Sequence, residues 1–233
     1  SLTRCEMTSD AHEDVRILAI DVGGQHVKIL ASGETEPRRM TSGPELTPSR
    51  MAAGVRDLAE GWAYDVIAMG YPGVVRDGAP AVEPANLGPG WVGFDYEAAF
   101  GCPVRVMNDA AMQALGSYRG GRMLFLGLGT GLGSAIVDDG QVLPLELAHL
   151  PYREGTFEDY VGEPARREHG GKKWRHRVED VVARLARAME PDEVVLGGGN
   201  ARRLHHLPPG CRLGDNANAF TGGFRMWEAA DVG

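Results

Sequence analysis

The chain has 233 residues, of which 43% are hydrophobic and 24% are charged. These values are typical of a globular protein with a sizeable core and exclude an intrinsically disordered chain. The net charge of −8 disfavours a nucleic-acid partner. No window of about 18 residues is free of charge, so we expect no membrane-spanning helix and no membrane partner. No basic stretch followed by an apolar run opens the chain, and no signal peptide is predicted.

Cysteine and glycine are the informative residue types. Cys5, Cys102 and Cys211 are far apart and form no CxxC pair. This spacing disfavours a zinc cluster and a disulfide scaffold, and it is typical of the reducing cytoplasm, where we expect the protein. Glycine accounts for 33 of the 233 residues, about twice its usual share of ~7%, and much of it is clustered.

The first predicted element is a β-hairpin over residues 15–32, in which two apolar runs flank the glycines of DVGG. A helix is predicted next, because Thr47 is a suitable N-cap and Pro48 suits the first helical position. Its apolar face is predicted to carry Met51, Val55, Leu58 and Trp62.

The middle of the chain alternates between strands and helices. A buried strand over 65–70 precedes a Gly- and Pro-rich loop over 76–95. A second strand over 103–108 leads directly into a helix over 109–118. Residues 123–137 then repeat the strand, glycine turn and strand of the first hairpin about a hundred residues earlier, which suggests two related lobes.

The last third of the chain is mainly helical. One amphipathic helix is predicted over 173–190, and a strand, a glycine turn and a short helix follow from residue 192. A final helix over 217–230 is predicted to be weakened by Gly222 and Gly223.

Three glycine-rich turns each follow a predicted strand. The backbone N–H groups of such turns can approach phosphate oxygens closely. No turn has the lysine of a P-loop, and none has the G-x-G-x-x-G spacing followed by a helix that a Rossmann fold requires. A single turn of this kind is equally compatible with a hairpin that binds no ligand, whereas three favour a phosphate site. The turns are DVGG (21–24), GLGTGLG (127–133) and LGGGN (196–200).

Taken in order, the three turns resemble the phosphate-1, phosphate-2 and adenosine segments of the sugar kinase, heat-shock-protein-70 and actin superfamily. Within it, the resemblance is to the ROK family of bacterial sugar kinases and covers residues 16–225. The motifs that carry it are LAIDVGG (18–24), YPG (71–73), PANLGPGW (84–91), VMNDA (106–110), FLGLGTGLGSAIV (125–137), ELAH (146–149) and VVLGGGN (194–200).

This resemblance implies a two-lobe α/β fold of the actin-like, ribonuclease H-like kind, in which each lobe is a mixed β-sheet flanked by helices. The small lobe is expected over 15–107 and the large lobe over 108–233, with the last helix packing back on the small lobe.

Two carboxylates are the candidates for catalysis. Asp109 follows a predicted strand and precedes a predicted helix, a position where an Asp is by default a helix N-cap. The resemblance implies instead that Asp109 accepts the proton of the attacking sugar hydroxyl, while Asn108 holds a neighbouring hydroxyl. It also implies that Asp21 orients the water shell of Mg²⁺, although Asp21 could simply form the turn before Gly23 and Gly24. These roles suit phosphoryl transfer, which needs positioning and charge stabilisation.

The pair Glu146 and His149 resembles the family's E-x-G-H motif, with Ala148 in place of the glycine. Many members use that histidine as a zinc ligand together with three downstream cysteines. No cysteine lies between Cys102 and Cys211. We therefore expect no zinc site, and we expect His149 to face the sugar.

Further site residues are implied by the resemblance. Glu158 stands where the family has a second sugar-binding glutamate, but it could also be a solvated charge on a helix. The other expected sugar-binding residues are Asn86 and Gly73. The expected phosphate-binding residues are Asp21, Gly23, Gly24, Lys28, Gly129, Thr130 and Gly131. The expected nucleotide- or polyphosphate-binding residues are Gly197, Gly198, Gly199, Lys172 and Lys173.

One branch of the family lacks the zinc module, namely the kinases that use polyphosphate or ATP to phosphorylate glucose. Residues 170–208 and Lys28 resemble that branch. A polyanionic donor needs a basic track, although for any one basic residue a solvated helix face is the simpler interpretation. The candidates for this track are Arg166, Arg167, Lys172, Lys173, Arg175, Arg177, Arg202 and Arg203.

The resemblance thus implies a homodimeric hexose kinase that phosphorylates the 6-hydroxyl of glucose or a close hexose, using polyphosphate, ATP or both with Mg²⁺. Gln25 stands where the family has Ser or Thr, and together with Ala148 it leaves a catalytically weak or inactive sugar-binding protein as the alternative. A sugar-responsive repressor is disfavoured, because only 20 residues precede Asp21 where a DNA-binding domain would lie, and those before the first predicted strand are polar.

Overall fold

Two five-stranded β-sheets of the same topology form the framework of the computed structural model, which describes residues 15–215 and 217–228. In each sheet the first three strands are antiparallel neighbours, and two later strands run parallel to the first one. The strands of the first sheet are β1 (Ile17–Val22), β2 (His26–Ala31), β3 (Arg38–Thr41), β4 (Val66–Tyr71) and β7 (Val104–Asn108). Those of the second are β8 (Arg122–Leu128), β9 (Leu132–Asp138), β10 (Gln141–Leu145), β13 (Glu193–Gly197) and β14 (Cys211–Leu213).

Helices and two short hairpins connect and cover these sheets. The helices are α1 (Pro48–Leu58), α2 (Tyr96–Phe100), α3 (Asp109–Ser117), α4 (Phe157–Val161), α5 (Glu163–His169), α6 (Gly171–Met189) and α7 (Asn218–Glu228), with 3-10 helices at Leu147–His149 and Ala201–Arg203. The hairpins pair β5 (Val75–Arg76) with β6 (Ala79–Pro80) and β11 (Pro151–Tyr152) with β12 (Gly155–Thr156). None of the helices in the described residues is long and apolar enough to cross a membrane.

The elements predicted from hydrophobic periodicity are present at nearly the predicted bounds. The start of α1 is confirmed, since the Thr47 side chain accepts a hydrogen bond from the Arg50 backbone N–H. Its end differs, because α1 stops at Leu58 and Trp62 lies beyond it. There the Arg38 guanidinium donates to the Leu58 carbonyl at 2.6 Å and packs 4.0 Å from the centre of the Trp62 ring.

Each sheet has its own hydrophobic core. In the first, α1 packs Met51 and Val55 against β1 and β2. In the second, the predicted face of α6, including Trp174 and Val178, packs against β8 and β13. The amphipathic patterns of α1 and α6 therefore predicted the helix faces that enter these two cores.

Helices α3 and α7 pack against each other between the two sheets, and glycines allow the close approach. A Cβ at Gly222 would overlap the Met112 carbonyl of α3, and one at Gly116 would overlap the Asn218 carbonyl of α7. Gly223 lies against Ala19 of β1, where a Cβ would come within 2.8 Å of the alanine methyl. The prediction that these glycines weaken the last helix is thus incomplete, because they also let α7 reach α3 and the first sheet.

Candidate active site

All three glycine-rich turns line one cleft of about 320 Å³ between the sheets. Gly24 comes from the β1–β2 turn, Gly131 from the β8–β9 turn and Gly198 from the end of β13. The N-terminus of α3 and the loop before α2 complete the walls. The predicted site residues that line this cleft are Gly24, Gly73, Asn86, Asn108, Asp109, Gly129, Thr130, Gly131, Glu146, His149, Glu158 and Gly198.

The other predicted residues lie behind or outside the cleft wall. Gly197 precedes Gly198 in the chain and packs against Phe125, which lines the cleft. Lys172 and Lys173 are exposed in the first turn of α6. Asp21, Gly23 and Gly199 belong to the glycine turns and Lys28 lies in β2, but none of the four lines the cleft.

Asp109 is the first residue of α3 and is not its N-cap. That role belongs to Asn108, whose Oδ1 accepts from the Ala111 N–H at 3.1 Å and whose Nδ2 donates to the Gly73 carbonyl at 3.0 Å. The sequence-based default of capping by Asp109 is therefore wrong, because the helix already begins at Asp109 and its N-cap position falls on Asn108. Asp109 Oδ1 accepts a hydrogen bond from the neighbouring Ala110 N–H at 2.8 Å.

The Asp109 carboxyl lies in a buried and electronegative position. Burial raises its pKa to about 7, with a further contribution from the negative charge of Asp21 and a smaller one from Glu146. Two backbone hydrogen bonds oppose this shift without cancelling it. A carboxyl group whose pKa is near neutral pH is suited to accept a proton during a reaction.

Asp21 lies at the end of β1, opposite Lys28 in the β1–β2 register. The Lys28 ammonium is 3.7 Å from the Asp21 carboxylate, whose side chain is only 14% exposed. Burial raises the pKa of Asp21, and the charge of Lys28 partly offsets that rise. Asp21 therefore supplies the first glycine turn with a carboxylate close to Asp109.

Glu158 is held against the second glycine turn. Its Oε2 accepts from the Leu132 N–H at 3.0 Å, and it fills the space beside Gly131 that a Cβ would occupy. The Thr156 side chain caps α4 and fixes the helical turn that carries this glutamate. The alternative of a merely solvated helix charge is therefore wrong, because a turn of the cleft wall binds this carboxylate.

Glu146 and His149 lie at the mouth of the cleft on the 3-10 helix. His149 Nε2 is 3.6 Å from Glu146 Oε2, and both side chains are more than half exposed. Ala148 between them is buried in the second core and also lines the cleft. The pair thus offers an imidazole and a carboxylate to a ligand that enters from solvent.

A buried Asn200 links the second and third glycine turns, a contact that was not predicted from the sequence. Its Nδ2 donates to Glu163 Oε2 at 2.8 Å and to the Gly129 carbonyl at 3.2 Å. The Glu163 backbone N–H donates to the carbonyls of Gly129 and Thr130, each at 3.1 Å. Hydrogen bonds from Arg166 hold the pKa of Glu163 well below its usual range. This network joins three distant segments, so no local pattern could have revealed it.

The predicted basic track is largely occupied by internal contacts. Arg166 and Arg167 are bound to Glu163 at 2.6 Å and 2.8 Å. Arg177 is buried with its guanidinium 4.7 Å from the Tyr160 ring centre. In addition, Arg202 pairs with Asp215, and Arg203 donates to Asn200. In the described part of the chain, Lys172 and Lys173 form no ion pair and stay available to an anionic ligand.

Gln113 lines the cleft but was not predicted as a site residue. It lies one turn after Asp109 on α3, and its Oε1 is 3.7 Å from the position of a Cβ at Gly197. The spacing of four residues from a candidate base could have identified it, because such residues share a helix face. Over residues 15–215 and 217–228, no group of three or more His, Cys, Asp or Glu residues could hold a metal ion.

Comparison with known proteins gives matches over most of the chain. The model of the ROK family matches residues 17–144. A polyphosphate glucokinase of Mycobacterium tuberculosis (strain CDC 1551 / Oshkosh) is 26% identical over 212 residues, which are 82% of this chain and 80% of that protein. An N-acetylmannosamine kinase of Citrobacter koseri is 31% identical over 144 residues, or 54% of this chain and 49% of that protein.

Solved structures have the same fold. The inorganic polyphosphate/ATP-glucomannokinase of Arthrobacter sp. strain KM superposes with a TM-score of 0.80 and 23% identity, covering 92% of this chain and 99% of that one. The ROK family glucokinase of Streptomyces griseus in complex with glucose and AMPPNP gives a TM-score of 0.73 and 16% identity, covering 91% and 98%. These likenesses confirm the predicted two-lobe α/β fold class.

Proposed function

Because the family model matches more than half of its sequence, the chain belongs to the ROK family, and we propose that it is a hexose kinase acting on the 6-hydroxyl of glucose or a close hexose. The observation that carries this proposal is the Asp109 carboxyl, whose pKa is raised to about 7 where three glycine turns meet. The relatives named polyphosphate glucokinase support the same reaction class.

On the acceptor side, Asp109 receives the proton of the 6-hydroxyl. The hydroxyl oxygen forms a bond to the terminal phosphorus of the donor as the bond from that phosphorus to the leaving phosphate breaks. Such a reaction has a loose transition state, so correct placement of the hydroxyl matters more than a strong base. Asn86, Glu146, His149 and Glu158 provide hydrogen-bonding groups for the sugar around this point.

On the donor side, the backbone N–H groups of the glycine turns receive the phosphates of polyphosphate, ATP or both. Asp21 fits the water shell of a Mg²⁺ ion, because Mg²⁺ keeps several waters and is bound through one or two carboxylates and substrate phosphates. When bound, the ion would neutralise charge on the transferring phosphoryl group. Lys172 and Lys173 offer positive charge to a longer donor.

The experiment is a direct assay of the purified protein with Mg²⁺, glucose or mannose, and either ATP or long-chain polyphosphate. We expect hexose 6-phosphate to form with at least one donor, and Asp109→Asn to abolish nearly all of it. If neither donor supports turnover while a hexose raises Tm, the protein is a binding-only relative instead. A double variant, Lys172→Ala with Lys173→Ala, distinguishes the two donors, because we expect it to bind polyphosphate more weakly but not ATP.

Three further expectations stay predictions. They are the cytoplasmic location, the homodimer and the division into lobes at residues 107 and 108. Size-exclusion chromatography with light scattering tests the homodimer directly.

A further inference from the structure

A single carboxylate closes the loop that leads from β6 to α2. Glu83 Oε2 accepts from the backbone N–H groups of Gly90 and Trp91 at 3.0 Å and 3.1 Å, and Oε1 accepts from that of Val92 at 3.1 Å. These hydrogen bonds hold the pKa of Glu83 below its usual value. The exposed glutamate thus stays ionised and binds three consecutive amides seven to nine residues away.

Both ends of this loop are attached to the first core. At one end, the Tyr71 hydroxyl donates to the Val82 carbonyl at 2.7 Å. At the other end, Trp91 is fully buried, and its Nε1 donates to the Gly88 carbonyl at 2.7 Å. The Gly88 N–H in turn donates to the Leu46 carbonyl at 3.0 Å. Glu83 joins these two attached ends directly to each other.

The residues enclosed by this link form one wall of the cleft. Asn86 lines the cleft, and its Cβ is 3.5 Å from the position that a Cβ at Gly24 would occupy. Pro84, Ala85 and Leu87 line the same wall. The stretch from 84 to 87 has no regular secondary structure, so its shape depends on how its ends are held.

We propose that Glu83 is a positioning residue for the sugar subsite and acts by fixing the loop that presents Asn86 to the hydroxyls of the hexose. Glu83 does not line the cleft, and its effect passes through the three amides and the loop that they close. A carboxylate suits this role, because it accepts charge-assisted hydrogen bonds from several N–H donors at once. The assignment of the sugar to this wall rests on the proposed function.

The first test uses Glu83→Gln, which keeps the shape of the side chain but replaces one acceptor by a donor. Glu34→Gln is the matched control, since Glu34 is exposed in the turn after β2. We expect amide hydrogen exchange of Gly90, Trp91 and Val92 to accelerate at least tenfold in Glu83→Gln and to stay unchanged in Glu34→Gln. Equal protection in both variants would overturn the proposal, whether or not the protein is a kinase.

The second test separates positioning from a general loss of structure. In Glu83→Gln we expect the KM for the hexose to rise about tenfold, with kcat and the donor KM within twofold of wild type. Asn86→Ala should raise the hexose KM similarly without accelerating exchange at residues 90–92. The double variant should raise the hexose KM no more than Asn86→Ala alone, because both substitutions act on the same contact with the sugar.

Each alternative result has a definite meaning. Additive effects, or equal changes in both KM values, would overturn the role of Glu83 in sugar positioning. If Glu83→Gln fails to fold, the test relies on Asn86→Ala. An unchanged hexose KM in that variant would also overturn the role of Glu83 in sugar positioning. If the wild-type protein phosphorylates no hexose, the proposed function fails, and the exchange experiment alone still decides whether Glu83 holds the loop.

Discussion

The glycine turns of the two sheets occupy equivalent places in the topology, but they are held by different parts of the chain. The β1–β2 turn is fixed by its own sheet, since the Ser42 hydroxyl after β3 donates to the Gly23 carbonyl at 2.5 Å and the Ser42 N–H donates to the Gln25 carbonyl. The β8–β9 turn is fixed by later segments. Glu158 of α4 binds the Leu132 N–H, and Glu163 of α5 binds the Gly129 carbonyl through its backbone N–H.

The same kind of glycine turn is therefore stabilised in two different ways. In the first turn the carboxylate is part of the strand itself, and its partner Lys28 lies directly across the hairpin. The second turn has no ionisable residue of its own and receives its carboxylate from α4, which lies in the chain between β10 and β13 of the same sheet. Ser42 also brings a hydroxyl to the first turn, where Gln25 lacks one.

The largest effect is expected at Asp109, the residue on which both turns converge. Asp109→Asn keeps the size of the side chain and removes the proton acceptor, so kcat should fall by about 10²- to 10⁴-fold. For the wild-type protein, kcat/KM should rise with pH through an apparent pKa of about 7, as the carboxyl loses its proton. A turnover rate near that of wild type in Asp109→Asn would contradict the assignment.

Burial of the Asp109 carboxyl lowers the free energy of unfolding when the carboxyl is ionised, and the direction of this effect can be measured. The folded state raises the pKa of Asp109 from 3.8 to about 7, so the folded protein binds a proton that the unfolded chain has released. The free energy of unfolding should therefore fall as pH rises between these values. Asp109→Asn should be more stable than wild type at pH 8 and gain little at pH 4, as measured by denaturant unfolding.

The next largest effect, a loss of stability, is expected where α3 and α7 pack together between the two sheets. By helix propensity alone, Gly222→Ala would stabilise α7 by about 1 kcal/mol. The new methyl group overlaps the Met112 carbonyl, however, and we expect a net loss of about 2–3 kcal/mol. Gly54→Ala in α1 is the matched control, because there the methyl group meets only the flexible end of Met40. Equal stabilities of the two variants in urea would refute close packing of α7 on α3.

A smaller effect is expected in the second turn. Gly131→Ala pushes Glu158 away from the Leu132 N–H, which should raise the hexose KM about fivefold to tenfold and lower stability by about 1–2 kcal/mol. Gly129→Ala is the comparison for stability, because no atom lies within 4 Å of its Cβ position. Thermal unfolding should distinguish the two. The same Tm for both variants would contradict the contact of Glu158 with the turn.

The contrast between the turns also explains which parts of the site could be predicted from sequence. Hydrophobic periodicity predicted the longer strands and helices but not β3, α2, α4 or α5. The motif order brought together Asp109, Asn86 and Glu158, which line one cleft. Periodicity carries no information about contacts between distant segments, so the link of Asn200 to Glu163 was not predicted. The capping role of Asn108 was missed for a local reason, since a shift of one residue in the start of α3 decides which of the two neighbouring side chains is the N-cap.

The smallest effect on activity is expected for substitution of Glu163, which lies outside the cleft and helps to hold the second turn. Glu163→Gln loses its charge-assisted hydrogen bonds from Arg166 and Arg167, which should lower the free energy of unfolding by about 1–2 kcal/mol at pH 7. The folded state lowers the pKa of this glutamate, so the difference from wild type should persist above pH ~4 and shrink as pH falls further. Glu193→Gln breaks a comparable 2.6 Å pair with Arg212 at the far side of the second sheet. Both variants should lose stability, but only Glu163→Gln should raise the donor KM, because of the two side chains only that of Glu163 is linked to the turn, through Asn200. A donor KM raised equally in both would mean that the second turn responds to general loosening and not to this network.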